Sequence, residues 1–267
     1  MLGKLFKYDF KSTGRVLGPL YGALLGAALL LGFAVRPMMN DSMQGGSYVL
    51  TTISTVLYTA LIAAVGIVTL IMVLYSGFYK SLLGSEGYLR FSLPVSTGQQ
   101  LASKTINAAI WFVLAGIATV LSVVLLSIPA FGFQELHRGL VDIYSNVLSS
   151  NAQLRSEIRF FGWQVLLLMI AGGISFVLKV FASITIGNEW NAHPVFGAVL
   201  VYIGISIVEA LVGNYLPYHT NVINYFNAQT VSALHSILWG SLAVTAVTAA
   251  IFYTVTWYML DRRLNLQ

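Results

Sequence analysis

Between Lys104 and Glu135 the chain carries no Asp, Glu, Lys or Arg, and the intervening residues are mostly Ala, Ile, Leu, Val and Phe. A run of this kind is matched to hydrocarbon, because about 20 apolar residues rising about 1.5 Å each cover a bilayer core of roughly 30 Å. Five further stretches have the same character, and together the six are expected at about 16–35, 49–75, 105–130, 159–183, 193–213 and 237–260. The fifth is long enough only if Glu209 lies within it or at its rim. Composition agrees with six spans: 57% of residues are hydrophobic and only 9% charged, whereas a soluble surface needs roughly 25–35% charged residues. These figures exclude an ordinary soluble enzyme and also a disordered chain, which would be polar and highly charged. The fold expected is therefore an all-α polytopic membrane protein.

Six spans place both termini on one side, and the fourteen Lys and Arg residues indicate which. Lys4, Lys7, Lys11, Arg15, Lys80, Arg90, Lys104, Lys179, Arg262 and Arg263 fall on the terminal side, against only Arg36, Arg138, Arg155 and Arg159 opposite. Basic residues are retained on the cytoplasmic face, so both termini are expected there. Lys179 is expected to snorkel to that surface. No small-x-small cleavage pattern follows the first span, so the segment is read as retained rather than as a signal peptide.

Residues 1–15 form a separate amphipathic segment ahead of a transmembrane domain covering 16–263. At about 100° per residue, Leu2, Leu5, Phe6, Phe10 and Thr13 share one side and Lys4, Lys7, Lys11 and Arg15 the other. The pattern predicts an interfacial helix that turns into the bilayer at Gly14 or at Gly18-Pro19. Asp9 projects from its apolar face, where a lone carboxylate is costly, and calls for a basic partner. The loop expected at 76–104 contains Glu86-Gly87-Tyr88-Leu89-Arg90-Phe91, a short helix with an apolar knob, followed by Pro94 and by a capping Ser96 or Thr97 that opens the third span. Such a knob suits a groove on another protein.

The basic start Lys4-Leu5-Phe6-Lys7-Tyr8-Asp9-Phe10-Lys11, the six spans and the run Glu86-Gly87-Tyr88-Leu89-Arg90-Phe91-Ser92-Leu93-Pro94-Val95-Ser96 together resemble the permease subunits of ABC-2-type exporters of Gram-positive bacteria. The resemblance implies that 1–15 is a connecting helix and that 76–104 carries a coupling helix seated on an ATP-binding subunit. Glu86, Gly87, Tyr88, Leu89, Arg90 and Phe91 would then meet that subunit, flanked by Lys4, Lys7, Asp9 and Lys11. It also implies a second permease copy or homologue, location in the bacterial cell membrane, and ATP with magnesium held by the partner. The family's external gating helices between spans five and six are not recognisable in Asn214 to Ser236, an uncharged stretch rich in Asn and Tyr up to Asn227 that could act as a lid.

The residues themselves add further expectations. No G-x-x-x-x-G-K-[ST] phosphate loop is present, so ATP would have to be hydrolysed by a separate polypeptide. His137, His193, His219 and His235 lack metal-ligand spacing, and no Ser-His-Asp constellation stands out, so the chain is read as non-catalytic and metal-free. Cysteine is absent. Nothing points to nucleic acid, and the lipid bilayer is the expected surrounding. Gly18, Gly22 and Gly26 strip one face of span one, for packing within the subunit or for a dimer seam. Glu209 is expected in an ion pair with Arg155 or Arg159, or on a transport path or dimer seam. The loop 131–158 places Leu136, Leu140, Ile143 and Val147 at helical spacing, which predicts a short external helix.

Two other functional classes compete with the exporter. One is a non-transporting immunity or sensor-associated membrane protein that only binds a partner. The other is an ion-driven carrier, which would need more buried ionisable groups or inverted repeats. The orientation is directly testable, since any introduced cysteine is unique. A cysteine at Asp142 should react with an impermeant maleimide in intact cells, and one at Lys7 or Arg262 only after the membrane is opened. The opposite pattern would reverse the topology.

Overall fold

The computed structural model describes residues 2–39, 45–84, 87, 95–149, 152–190, 193–215 and 231–262, and among them there is helix but no strand. The elements are α1 (Leu2–Met39), α2 (Gly45–Leu70) running on into a π-helical segment (Ile71–Leu83), α3 (Thr97–Phe131), α4 (Phe133–Ser149), α5 (Ala152–Gly187), α6 (Pro194–Tyr215) and α7 (Val231–Arg262). Among the described residues six helices are long and apolar enough to cross a membrane, over Leu5–Arg36, Val49–Leu83, Thr97–Phe131, Arg155–Gly187, Pro194–Gly213 and Leu234–Arg262. Large apolar side chains stand exposed along them, Leu30, Leu57, Val120, Met169 and Val208 among others. In water such a surface would be a liability, and in lipid it is the expected exterior.

The chain packs as two compact units, one comprising Met1–Lys7, Leu74–Ala109 and Gln153–Gln267 and the other Tyr8–Val73 and Ile110–Ala152. In the second, Leu17, Tyr21, Leu24, Ala28 and Leu31 of α1 are buried at alternating spacings of four and three, which keeps one seam of the helix inward. Trp111 of α3 stacks on Phe10 at 4.8 Å between ring centroids and tilts against Tyr21 at 6.1 Å. The Tyr21 hydroxyl lies 3.1 Å from Thr69 Oγ1 and 3.4 Å from the Trp111 carbonyl, which it reaches as a donor. Tyr58 and Ser122 share a hydroxyl hydrogen bond of 2.6 Å. Gly32 allows α1 to approach α3 closely, since a Cβ there would collide with the Pro129 ring and the Leu126 carbonyl.

The other unit is centred on α5. Phe181 stacks on Phe78 with centroids 3.8 Å apart and planes 9° from parallel. Leu178, Ala182 and Phe252 form a buried cluster flanked by Ile174, Ile205, Ala249 and Tyr253. Gly187 and Gly197 let the ends of α5 and α6 meet backbone to backbone, because a Cβ on Gly187 would strike Ala198. Pro194 opens α6, the position where its missing N–H leaves no bond unmade.

Several boundaries differ from those expected. No turn separates residues 1–15 from the first span, since α1 is continuous from Leu2 to Met39. Glycine permits a turn without enforcing one, Pro19 has a helix-compatible φ, and buried Leu17 and Tyr21 hold the helix on both sides of it. The loop expected from residue 76 begins only after Leu83, because Phe78, Ser81, Leu82 and Leu83 are buried and the backbone stays helical with wider turns. Gly84 closes that segment through a 3.0 Å bond from its N–H to the Tyr79 carbonyl, five residues back. Ser96 caps α3 as expected, its Oγ accepting the Gln99 N–H at 3.4 Å. The helix predicted within 131–158 is α4, and Gly132, with φ of 89°, makes the break between it and α3. The fourth and sixth spans start earlier than expected, in α5 and α7, and α7 takes up the last residues of the 214–236 loop. Residues 216–230 of that loop lie outside the described residues.

The Phe78–Phe181 stack anchors the π-helical segment. With lipid as the reference solvent the transfer contribution is small, and a void of roughly 100 Å³ at about 24 cal/mol per Å³ sets the loss for Phe181→Ala at about 2.4 kcal/mol. Thermal unfolding in nanodiscs should show that destabilisation, with Phe181→Leu losing less than half as much.

Candidate functional site

Glu209 belongs to α6, a helix otherwise without a charged residue. An ionised carboxylate in such surroundings must find a cation. It does so in Lys179 of α5, whose Nζ lies 2.5 Å from Glu209 Oε2. The ammonium also sits over the Tyr202 ring, 4.7 Å from its centroid, so its second side faces a π cloud about two helical turns from Glu209 along α6. The pair is asymmetric in exposure. The Lys179 side chain is 12% exposed and that of Glu209 37%.

This partner differs from Arg155 or Arg159, and Lys179 does not snorkel out of the span as expected. Lys179 lies two turns inside the end of α5, and its four-carbon stem can reach along the neighbouring helix instead of towards water. With a carboxylate and an aromatic face within reach, the shorter route to compensation is inward.

The pair borders an open-sided cavity of about 910 Å³ between α5, α6 and α7. Gly172, Ser175 and Phe176 line it from α5, Gly204, Ile205, Val208 and Val212 from α6, and Ser241, Val244, Thr245, Thr248, Ile251 and Phe252 from α7. Its size falls within the roughly 300–1,000 Å³ typical of small-molecule sites, and its walls are mainly apolar with a few polar groups. Gly172 and Gly204 help to make the space, since a Cβ on either meets nothing within 4 Å. The hydroxyls are largely committed to the helices themselves. Thr245 donates to the Ser241 carbonyl at 2.8 Å, Thr248 to the Thr245 carbonyl at 3.0 Å, and Ser175 and Thr248 lie 3.3 Å apart. Two opposite charges are thus the strongest orienting groups in the cavity.

A second polar cluster joins α5 to α7. His235 places Nε2 2.7 Å from Glu157 Oε2 and Nδ1 2.5 Å from Gln164 Oε1, with Phe160 edge-on to the ring at 5.2 Å. Nε2–H donates to the carboxylate. The sequence does not reveal the partners of His235, because they are some seventy residues away in the chain and only helix pairing brings them together. It acts as a clasp between two helix ends. Among the described residues no three His, Asp or Glu side chains form a metal-binding group.

The remaining sequence candidates separate clearly. Gly18, Gly22 and Gly26 lie on exposed positions of α1, and a Cβ on any of them would meet nothing within 4 Å. Among the described residues nothing meets the glycine face, whereas the opposite seam of Leu17, Tyr21 and Leu24 is buried. Lys7 and Lys11 are exposed and Asp9 is 8% exposed, its carbonyl accepting the Thr13 hydroxyl at 3.1 Å. Lys4 lies on α1, its side chain outside the described residues. Gly87 is buried and donates its N–H to the Gly84 carbonyl at 2.9 Å. Glu86, Tyr88, Leu89, Arg90 and Phe91 lie outside the described residues.

Comparison of the chain with family models, with curated proteins and with solved structures finds no match.

The ion pair makes a quantitative expectation possible. A lone charge at a helix centre in the membrane costs about 2.5–3.5 kcal/mol, and partial exposure of Glu209 lowers this to about 1–3 kcal/mol. Lys179→Met and Glu209→Gln should each destabilise by that amount in nanodisc unfolding. The double variant should recover more than half of the summed loss, and strict additivity would show that the two charges do not depend on each other.

Proposed function

We propose that this chain is the membrane-spanning permease subunit of an ATP-driven ABC exporter in the bacterial cell membrane. The observation that carries the proposal is the cavity among α5, α6 and α7: spans that pack around a ligand-sized space, with one mutually neutralised ion pair as its only charges among the described residues, suit passage of a cargo. Closely packed spans would suit a purely structural or partner-binding protein better. The power source comes from the sequence. Lys4 to Lys11 and Glu86 to Ser96 resemble the connecting and coupling segments of ABC-2-type permeases, and nucleotide-driven closure of a separate ATPase would bias the spans between two arrangements through them. ATP and magnesium then belong to the partner, and this subunit carries out no chemistry of its own.

Two such subunits, identical or related, complete the transporter. The open glycine face of α1 supports a helix–helix seam between them, because backbone bared at Gly18, Gly22 and Gly26 allows close approach. Both termini and the 84–96 loop face the cytoplasm in this arrangement, as the bias of basic residues requires.

The test is co-purification. An ATP-binding subunit should be recovered with the chain from its native membrane, and Tyr88→Asp with Leu89→Asp should remove it while the chain itself remains folded by circular dichroism. An undiminished complex with that double variant would take the coupling role away from this loop, and isolation as a stable monomer without any ATPase would favour the partner-binding class.

A further inference from the structure

The α5–α6–α7 cavity presents its ligand with an unusual balance of charge. Lys179 and Glu209 cancel, and the hydroxyls of Thr245 and Thr248 already donate to carbonyls of their own helix. A ligand with a net charge of either sign would bring an uncompensated ion into a low-dielectric space. A wholly apolar ligand would bury the half-exposed Glu209 carboxylate without giving it a second partner. A headgroup with both charges avoids both penalties. Its cation can take the open side of Glu209, and its anion can approach Lys179, which also lines the cavity. The apolar remainder of the cavity, along Val208, Val212 and Ile251, takes a hydrocarbon chain.

We propose that the cavity binds a zwitterionic, single-chain amphiphile drawn from the surrounding bilayer, its cationic group on Glu209 and its anionic group on Lys179. Its role as a transported substrate rests on the exporter reading, whereas binding itself does not. Accordingly the experiment uses the chain alone, without nucleotide or ATPase, so that a negative result refutes the site and leaves transport to be judged by co-purification.

Because the chain has no cysteine, Thr245→Cys can carry a single bimane in the cavity wall. In nanodiscs its fluorescence is titrated with chain-nitroxide lysophosphatidylcholine, lysophosphatidylglycerol and an alkyltrimethylammonium of equal chain length. The zwitterion should quench at concentrations at least tenfold below those needed by the anionic or cationic probe, and Gly204→Leu, which fills the space, should remove that difference. Lys179→Met should move the preference to the cation and Glu209→Gln to the anion. If either single variant fails to fold, the exchanged pair Lys179→Glu with Glu209→Lys keeps neutrality and should keep the zwitterion preference. Equal quenching by all three probes, or a preference of the unaltered pair for either charged probe, overturns the proposal. So does absence of quenching, which would mean that another segment of the chain or a second copy fills the cavity.

Discussion

Hydrocarbon offers no hydrogen bonds, and the arrangement of the spans depends first on satisfying backbone and charged groups internally. The backbone responds by remaining helical across each span, since an unpaired N–H or C=O in lipid costs several kcal/mol. Serine and threonine side chains respond by bonding back to their own helix, as Thr69 does to the Val65 carbonyl at 2.7 Å and Thr256 to the Phe252 carbonyl at 2.7 Å. Where a helix changes pitch rather than stopping, as at Ile71–Leu83, the bond is moved by one residue and not lost. The same constraint applies with most force to charge. Lys179 and Glu209 are brought together because neither could remain alone in its helix.

The spans were legible in the sequence because hydropathy over a membrane-length window is a local property. Even the fifth, shortest stretch is recognisable, and Glu209 lies inside it as its length requires. What was not legible depends on which helices are neighbours. Lys179 read as a snorkelling residue because its distance from the end of its own span can be counted, whereas its distance from Glu209 and Tyr202 cannot. His235 with Glu157 and Gln164 was hidden for the same reason. The continuity of α1 through Gly14 and Pro19 was misjudged differently. Turn-compatible residues permit a turn without forming one, and the buried seam at Leu17, Tyr21 and Leu24 outweighs them.

The glycines show how one sequence pattern separates into unlike structural roles. Gly32, Gly187 and Gly197 are enforced by contact, since a Cβ would strike a neighbouring backbone or ring. Gly132 is enforced by conformation, its positive φ setting the angle between α3 and α4. Gly18, Gly22 and Gly26 are enforced by neither within the chain, and Gly172 and Gly204 border empty volume. Nothing in a spacing of four distinguishes these cases. The structure does: the first group makes local packing, and the last two are met by no described residue.

The ion pair also bears on how such a cavity could be driven. A proton-coupled carrier needs a carboxylate that can discharge and recharge during its cycle, with its charged partner provided for in both states. Discharging Glu209 would leave Lys179 with only the Tyr202 ring for compensation among the described residues, since none of them brings a second carboxylate to the cavity. The pair is therefore better suited to remaining intact while the helices carrying it move, with its two charges presented as one dipole in either arrangement. Work would then enter through the helices and not through the pair. That is the division of labour expected when the energy of nucleotide binding is applied by another polypeptide at the loops that join the spans.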